Sequence, residues 1–219
     1  MNTTRAVAPL LIFVLPGGGY GTRAEHEAEP VAEWLRSEGH RAEALAYPVA
    51  PHRYPEAFTF VRDAIAAARE SFDGRIGVLG FSAGGHLAGH VAYAAAAEPS
   101  CRPDFAVLCY PVVSLGPNGH LCSRDNLLGD DKEFADALSL QNLVTEASPP
   151  TFIWHTADDE TVPLRHSLLI VEALELHSVP FEFHVFNHGQ HGLGLAEHTR
   201  AEPWTALCAS WLRSIAAAS

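Results

Sequence analysis

The chain has 219 residues, enough to bury a sizeable core without help from disulfides or a structural metal. Its 47% hydrophobic and 18% charged residues exclude a mostly disordered chain. Its 14 lysines and arginines against 26 aspartates and glutamates give a formal charge of −12, which argues against nucleic acid or an anionic membrane as partner.

Short apolar runs alternate with longer amphipathic ones along the chain. Val7–Leu15 follows Arg5 and has the look of a secretory apolar segment, but Pro16-Gly17-Gly18-Gly19-Tyr20 comes at once and no small-residue cleavage pattern is present. A buried strand over Leu10–Leu15 is the better reading, and a cytoplasmic protein is expected, with secretion through a separate leader left open. Further strands are predicted at Ala42–Tyr47, Ile76–Gly80, Phe105–Tyr110, Thr151–His155 and Phe181–Phe186. Helices are predicted at Ala28–Ser37, Pro55–Ser71, Ala83–Ala97, Pro163–His177 and Pro203–Ile215, with Pro55 and Pro163 at positions that tolerate a missing N–H. This order predicts an α/β fold, a mostly parallel doubly wound sheet of about six strands with helices on both faces. Its site should lie at the C-terminal ends of the strands.

Residues 112–148 break the rhythm with Gly116-Pro117-Asn118-Gly119 and Gly129-Asp130-Asp131, and one short helix is expected at Lys132–Leu138. The segment reads as a small cap on a single domain spanning 1–219. Cys101, Cys109, Cys122 and Cys208 form no C-x-x-C pair and read as reduced thiols. No apolar stretch approaches the ~20 residues of a membrane span.

The sharpest motif is Gly80-Phe81-Ser82-Ala83-Gly84, a G-x-S-x-G between a predicted strand and a predicted helix. Small neighbours let strand and helix approach closely, which pushes a serine hydroxyl above the sheet. The bland alternative is a Gly/Ser turn with a helix cap. A second motif, Pro16-Gly17-Gly18-Gly19-Tyr20, directly follows the first strand. Consecutive glycines let backbone N–H groups converge on a developing negative charge, and the run resembles the HGGG-type oxyanion loop with proline in place of histidine. It matches neither phosphate-loop pattern.

A nucleophilic Ser82 needs a base and an orienting carboxylate, following it in the order acid then histidine. The strand Thr151–His155 is followed by Asp158 and Asp159, and the last strand by His188 and His191 in a glycine-rich loop. Asp158, the first carboxylate past the strand, is taken as the orienter with Asp159 its competitor. His191, close to Gly189 and Gly192, is taken as the base with His188 behind it. His86 and His90 lie one helical turn apart and read as packing residues rather than metal ligands. A metal cluster of His184, His188 and His191 is the weaker alternative, since no H-E-x-x-H accompanies it.

The stretches "PGGGY", "GFSAGGHLA", "YPVVSL", "NLLG", "PPTFIWHTADDETVP" and "GQHGLGLA" span nearly the whole chain. In that order they resemble the α/β-hydrolase family of small acetylesterases and acetylxylan-esterase-like enzymes, close to a feruloyl-esterase- and kynurenine-formamidase-like group. The resemblance implies a minimal α/β-hydrolase fold and a Ser82–His191–Asp158 triad. It also implies an oxyanion hole from the Gly17–Gly19 loop, Gly18 and Gly19 above all, with Ala83, and a doubled aspartate whose first member serves. The expected activity is serine carboxylesterase on small, acetyl-type esters, on sugars or xylan fragments, with neither cofactor nor metal. The expected partner is a small-molecule or oligosaccharide ester, with Tyr20, Tyr47 and Tyr110 shaping the pocket and Tyr20 and Tyr110 as substrate contacts. A formamidase- or peptidase-type hydrolase and a non-catalytic binding scaffold are the alternatives.

Overall fold

A computed structural model of the chain describes residues 10–94, 98–117 and 119–217. Residues 7–9 of the first apolar run, 95–97 of the predicted third helix and Asn118 lie outside the described residues. Strands β1 (Leu11–Leu15), β2 (Arg41–Ala44), β3 (Ile76–Phe81), β4 (Phe105–Cys109), β5 (Thr151–Thr156) and β6 (Phe181–Phe186) form one sheet. Their spatial order is β2-β1-β3-β4-β5-β6, and every neighbouring pair is parallel. The α-helices are α1 (Glu29–Ser37), α2 (Glu56–Arg69), α3 (Ser82–Ala94), α4 (Leu121–Leu128), α5 (Arg165–Leu176) and α6 (Trp204–Ala217).

Strand alternation sorts the core into two layers. Phe13, Leu15, Val78, Ala106, Leu108 and Ile153 face α2, α3 and α5, where Val61, Ile65, Leu87, Val91, Ile170 and Leu174 meet them. Ile12, Val14, Leu79, Phe81, Val107, Phe152 and Trp154 face the opposite layer, built on Val31 and Leu35 of α1 and Trp204 and Leu212 of α6. Both faces of the central strands are therefore covered, which is why they read as unbroken apolar runs. The edge strand β2 is different, with Arg41 and Glu43 exposed, charges that discourage pairing with another chain.

The chain leaves β1 for α1 on one face and leaves the adjacent β3 for α3 on the other. The crevice between such divergent loops is where open α/β sheets hold ligands. Here it is flanked by the Pro16–Tyr20 loop and the Ser82 turn.

Two local expectations change. β2 ends at Ala44 rather than Tyr47, because its neighbour β1 stops at Leu15 and the last ladder bond runs from Leu45 N–H to Val14. In the 112–148 segment the expected helix at Lys132–Leu138 is a single 3-10 turn over Lys132–Phe134, while α4 forms upstream. His120 caps α4, its ring accepting from the Ser123 N–H. Histidine is an unusual cap, and the buried residues Leu127 and Leu128 bunch at one end of the helix, so no periodic signal marked it. Among the described residues no helix is long and apolar enough to cross a membrane.

Candidate active site

β3 passes into α3 with no intervening residue, and Ser82 stands at the join with φ 52°. That left-handed conformation costs a non-glycine residue roughly 1–3 kcal/mol and persists only where the surroundings over-determine it. They do so here. A Cβ on Gly84 would stand 2.1 Å from the Leu15 carbonyl oxygen, so α3 touches the β1 backbone itself. The Ser82 carbonyl accepts from Val112 N–H at 3.0 Å, which directs the Ala83 N–H, on the far side of the same trans peptide, away from that contact.

From the hydroxyl of Ser82 a hydrogen-bonded chain runs inward. Ser82 Oγ lies 2.8 Å from His191 Nε2, and His191 Nδ1 lies 2.6 Å from Asp159 Oδ2. Because the carboxylate only accepts, Nδ1 carries the ring proton and Nε2 is left to accept from the serine. Asp159 Oδ1 accepts from the N–H groups of Thr161 and Val162, each at 2.9 Å, and His155 Nε2 lies 3.4 Å from Oδ2. Burial alone would raise the Asp159 pKa, but the hydrogen bonds from His155, His191 and the Val162 amide outweigh it and hold the carboxyl well below its usual range. His155 is itself buried and oriented, with Ser167 Oγ on Nδ1 at 2.7 Å and the Val162 carbonyl on Nε2 at 2.8 Å.

Asp158 does not meet His191. Its Oδ1 accepts from Gly189 N–H at 2.8 Å and its Oδ2 pairs with His188, both side chains at the surface. Being first after the strand is therefore the wrong criterion. Both aspartates lie in the turn beyond Thr156, where Asp158 is exposed and Asp159 is buried, its own Oδ1 closing an Asx turn on Thr161 and Val162. That local turn, D-x-T-V, was the available signal.

The glycine loop is fixed peptide by peptide. Tyr47 Oη donates to the Pro16 carbonyl at 2.6 Å, the Gly17 carbonyl accepts from Ala24 N–H at 3.0 Å, and the Gly18 carbonyl accepts from Gly21 N–H at 3.0 Å. Each trans peptide then points its N–H the other way. For Gly17 that N–H goes to Glu27 Oε2 at 2.7 Å, so it is occupied, while the Gly18 and Gly19 amides are turned away from the loop's own carbonyl contacts. Gly18 takes φ 121°, where a side chain is strained and a Cβ would stand 2.5 Å from the Thr22 carbonyl oxygen.

Tyr20 and Tyr110, expected as substrate contacts, are 2% and 1% exposed. The Tyr20 hydroxyl donates to His86 Nδ1 at 2.7 Å, and the Tyr110 hydroxyl donates to Glu27 Oε1 at 2.6 Å. Their hydroxyls are engaged inside the protein, behind the site rather than in front of it. His86 also donates from Nε2 to the Leu138 carbonyl at 2.9 Å, and burial pushes its pKa down to about 4, the carbonyl opposing. His90 stacks on Phe58 and is pushed down to about 3 by burial and by His86. His184, His188 and His191 do not converge. They pair with Glu182, Asp158 and Asp159 respectively.

The 112–148 segment closes over this edge. Asn126 Nδ2 of α4 donates to the Gly19 carbonyl at 2.9 Å, and Tyr54 N–H donates to the Leu127 carbonyl at 2.9 Å. A recess of about 380 Å³ is lined by Gly119, His120, Thr161, Pro163, Arg165 and His166, sharing Thr161 with the Asp159 turn.

This fold and this hydrogen-bonded serine define an α/β hydrolase, and the chain belongs to that family. Residues 12–194 match the profile of a family described as alpha/beta hydrolase fold. Among solved structures, an acetyl ester-xyloside bifunctional hydrolase from Caldicellulosiruptor lactoaceticus is 46% identical with a TM-score of 0.88, over 94% of this chain and 83% of that one. Acetylxylan esterase of Xylanibacter ruminicola is 30% identical over 203 residues, 84% of this chain and 41% of the relative. Endo-1,4-beta-xylanase B of Butyrivibrio fibrisolvens is 34% identical over 218 residues, 89% of this chain and 34% of the relative. The chain thus spans about a third to two fifths of the length of these two curated relatives.

Proposed function

We propose that the protein is a serine carboxylesterase acting on small acyl esters, with acetyl groups on xylose-containing sugars as the favoured substrate. The observation that carries the reading is the continuous bond path from Ser82 Oγ through His191 to Asp159. In this reading the substrate carbonyl carbon is attacked by Ser82 Oγ while His191 Nε2 takes the hydroxyl proton. Asp159 holds the imidazole in the required tautomer and stabilises the imidazolium as it forms. The N–H groups of Gly18, Gly19 and Ala83 receive the negative charge that develops on the carbonyl oxygen. His191 then returns its proton to the leaving alcohol oxygen, leaving an acyl group on Ser82. Water, deprotonated by the same imidazole, attacks that acyl carbon and releases the acid.

The acetyl and sugar assignments draw on the names of the two acetyl-ester relatives. The recess that shares Thr161 with the Asp159 turn, about 380 Å³ and lined in part by His120, Arg165 and His166, has room for a sugar ring as the alcohol part of the ester. One domain is enough for this chemistry, since the serine, base, acid and glycine loop all fall between residues 16 and 194. A panel of p-nitrophenyl esters from acetyl to octanoyl, run beside acetylated xylooligosaccharides and N-formylkynurenine, tests the assignment. The acetyl substrates should be turned over fastest, and preference for the formamide would move the protein to the amidase class. Ser82→Ala should abolish turnover and labelling by a fluorophosphonate probe. A folded variant that keeps its activity overturns the mechanism.

A further inference from the structure

Glu27 is 2% exposed, sits in the short 3-10 turn Glu25–Glu27, and takes no part in the mechanism above. Its two carboxylate oxygens each serve a different half of the site. Oε2 accepts from Gly17 N–H at 2.7 Å, at the root of the glycine loop. Oε1 accepts from the Tyr110 hydroxyl at 2.6 Å, and that hydroxyl in turn accepts from Gly194 N–H at 2.8 Å, three residues past His191. The Tyr110 ring packs edge-on against the His191 imidazole with centroids 5.0 Å apart. From the same turn His26 Nε2 reaches the Gly192 carbonyl at 2.9 Å. Gly17 is wedged between Glu27 and the serine, so that a Cβ on it would stand 2.7 Å from Glu27 Oε2 and 3.0 Å from Ser82 Cβ.

We propose that Glu27 is a positioning residue that sets the glycine loop and the His191 loop in register with each other across Ser82. This rests on the esterase reading above. A carboxyl group suits the place because it offers an oxygen to each of the two donors. A glutamine is nearly the same size but offers one oxygen and one NH₂. Facing two donors, its single oxygen can serve only one of them, and its NH₂ then either opposes the Gly17 N–H or forces the Tyr110 hydroxyl to turn its hydrogen away from the site it now fills. The loop that loses its anchor then drifts relative to the other. Displacements near 1 Å in such a constellation cost about 100-fold in rate, because the groups act together only at the transition state. Ground-state binding of the ester rests on other residues and should barely change.

No sequence signal separates this glutamate from its neighbours. Glu25, Glu27 and Glu29 alternate into the start of α1, and only the fold buries the middle one.

The test compares kcat and KM for p-nitrophenyl acetate in the wild-type chain, Glu27→Gln, Tyr110→Phe and the double variant. Melting temperatures and the rate of Ser82 labelling by a fluorophosphonate are followed alongside. Glu27→Gln should lower kcat and the labelling rate about 10- to 100-fold with KM within about threefold. Tyr110→Phe keeps the Gly17 bond and should lose less, about 3- to 10-fold in kcat. Because both residues act along one path, the double variant should lose far less than the product of the two. A folded Glu27→Gln with kcat within twofold of wild type overturns the proposal, and so do losses that multiply. Should Glu27→Gln fail to fold, Tyr110→Phe decides alone, unchanged kcat being the adverse result. A wild-type chain that neither hydrolyses the ester nor takes the probe removes the esterase reading and the proposal with it. An active wild type beside an equally active Glu27→Gln removes only the proposal.

Discussion

Two aspartate–histidine pairs join the same two loops of this protein, one residue apart at the acid end and three apart at the histidine end. Asp159 and His191 are enclosed, with the Asp159 side chain 1% exposed. Asp158 and His188 are open to solvent, at 44% and 73%. Both carboxylates also accept backbone N–H bonds, Asp159 from its own turn and Asp158 from the opposite loop. The chemistry of the pairs is the same; their dielectric surroundings are not. In the interior the carboxylate can orient a ring and stabilise a charge on it, whereas at the surface water does most of that work already.

The strongest way to break the comparison is to neutralise the buried acid. In Asp159→Asn the amide is free to present its NH₂ to His191, which disfavours the tautomer that accepts from Ser82. The expected fall in kcat is about 10⁴-fold, read from steady-state kinetics on p-nitrophenyl acetate with folding checked by circular dichroism. A loss below about tenfold would mean that the bond path seen here is not the one used in turnover.

Acid sharpens the contrast between enclosed and open groups. His86, His90 and His166 are buried, and burial lowers their folded pKa values from 6.5 to about 4, about 3 and about 3. Below 6.5 the unfolded chain binds protons that the folded chain refuses, so stability falls as pH falls. It falls by up to about 1.4 kcal/mol per pH unit for each such histidine, until the folded values are reached. Asp159 adds its share later. Its depressed carboxyl contributes fully above the ordinary carboxylate value and loses that contribution only as pH drops through the folded one. Melting temperature should therefore be level above about pH 7 and drop steadily toward about pH 4.5. His90→Phe, which keeps the ring packed on Phe58, should make that drop shallower. A melting temperature unchanged across this range would contradict the neutral, buried state of all three.

The same contrast explains what could be read from the sequence. The strands and their parallel order were legible because β3, β4 and β5 are buried on both faces and so run apolar without a break. Ser82, His191 and the glycine loop stand out in the sequence because each sits where backbone geometry restricts composition, and the structure brings Ser82 Oγ within 2.8 Å of His191 Nε2. Asp158 against Asp159 was not, since position after a strand does not say which way a side chain turns. Glu27, Asn126 and His155 left no mark because their roles depend on residues 10, 107 and 12 positions away. Tyr20 and Tyr110 show the converse error, aromatic residues beside the motifs that hold the site from behind.

The smallest expected effect belongs to the exposed pair, and it is the one that tests whether burial is the cause. Asp158 does touch the His191 loop, through Gly189, and the Gly189 N–H bond, followed by the His188 contact, lowers its pKa. Yet the loop has a second tether, because Thr156 Oγ1 donates to the Gly189 carbonyl at 2.7 Å from the buried end of β5. Asp158→Asn keeps an acceptor for the Gly189 N–H and gives up only a solvent-screened charge pair, so kcat should fall by no more than about tenfold. Raising the ionic strength should shrink whatever difference in melting temperature remains, since a surface pair is screened and an enclosed one is not. Thr156→Val in an Asp158→Ala background removes both tethers, and there the loss should exceed the product of the single losses. If Asp158→Asn alone cost as much as Asp159→Asn, exposure would not be what separates the two pairs, and loop placement would rank beside proton chemistry in setting the rate.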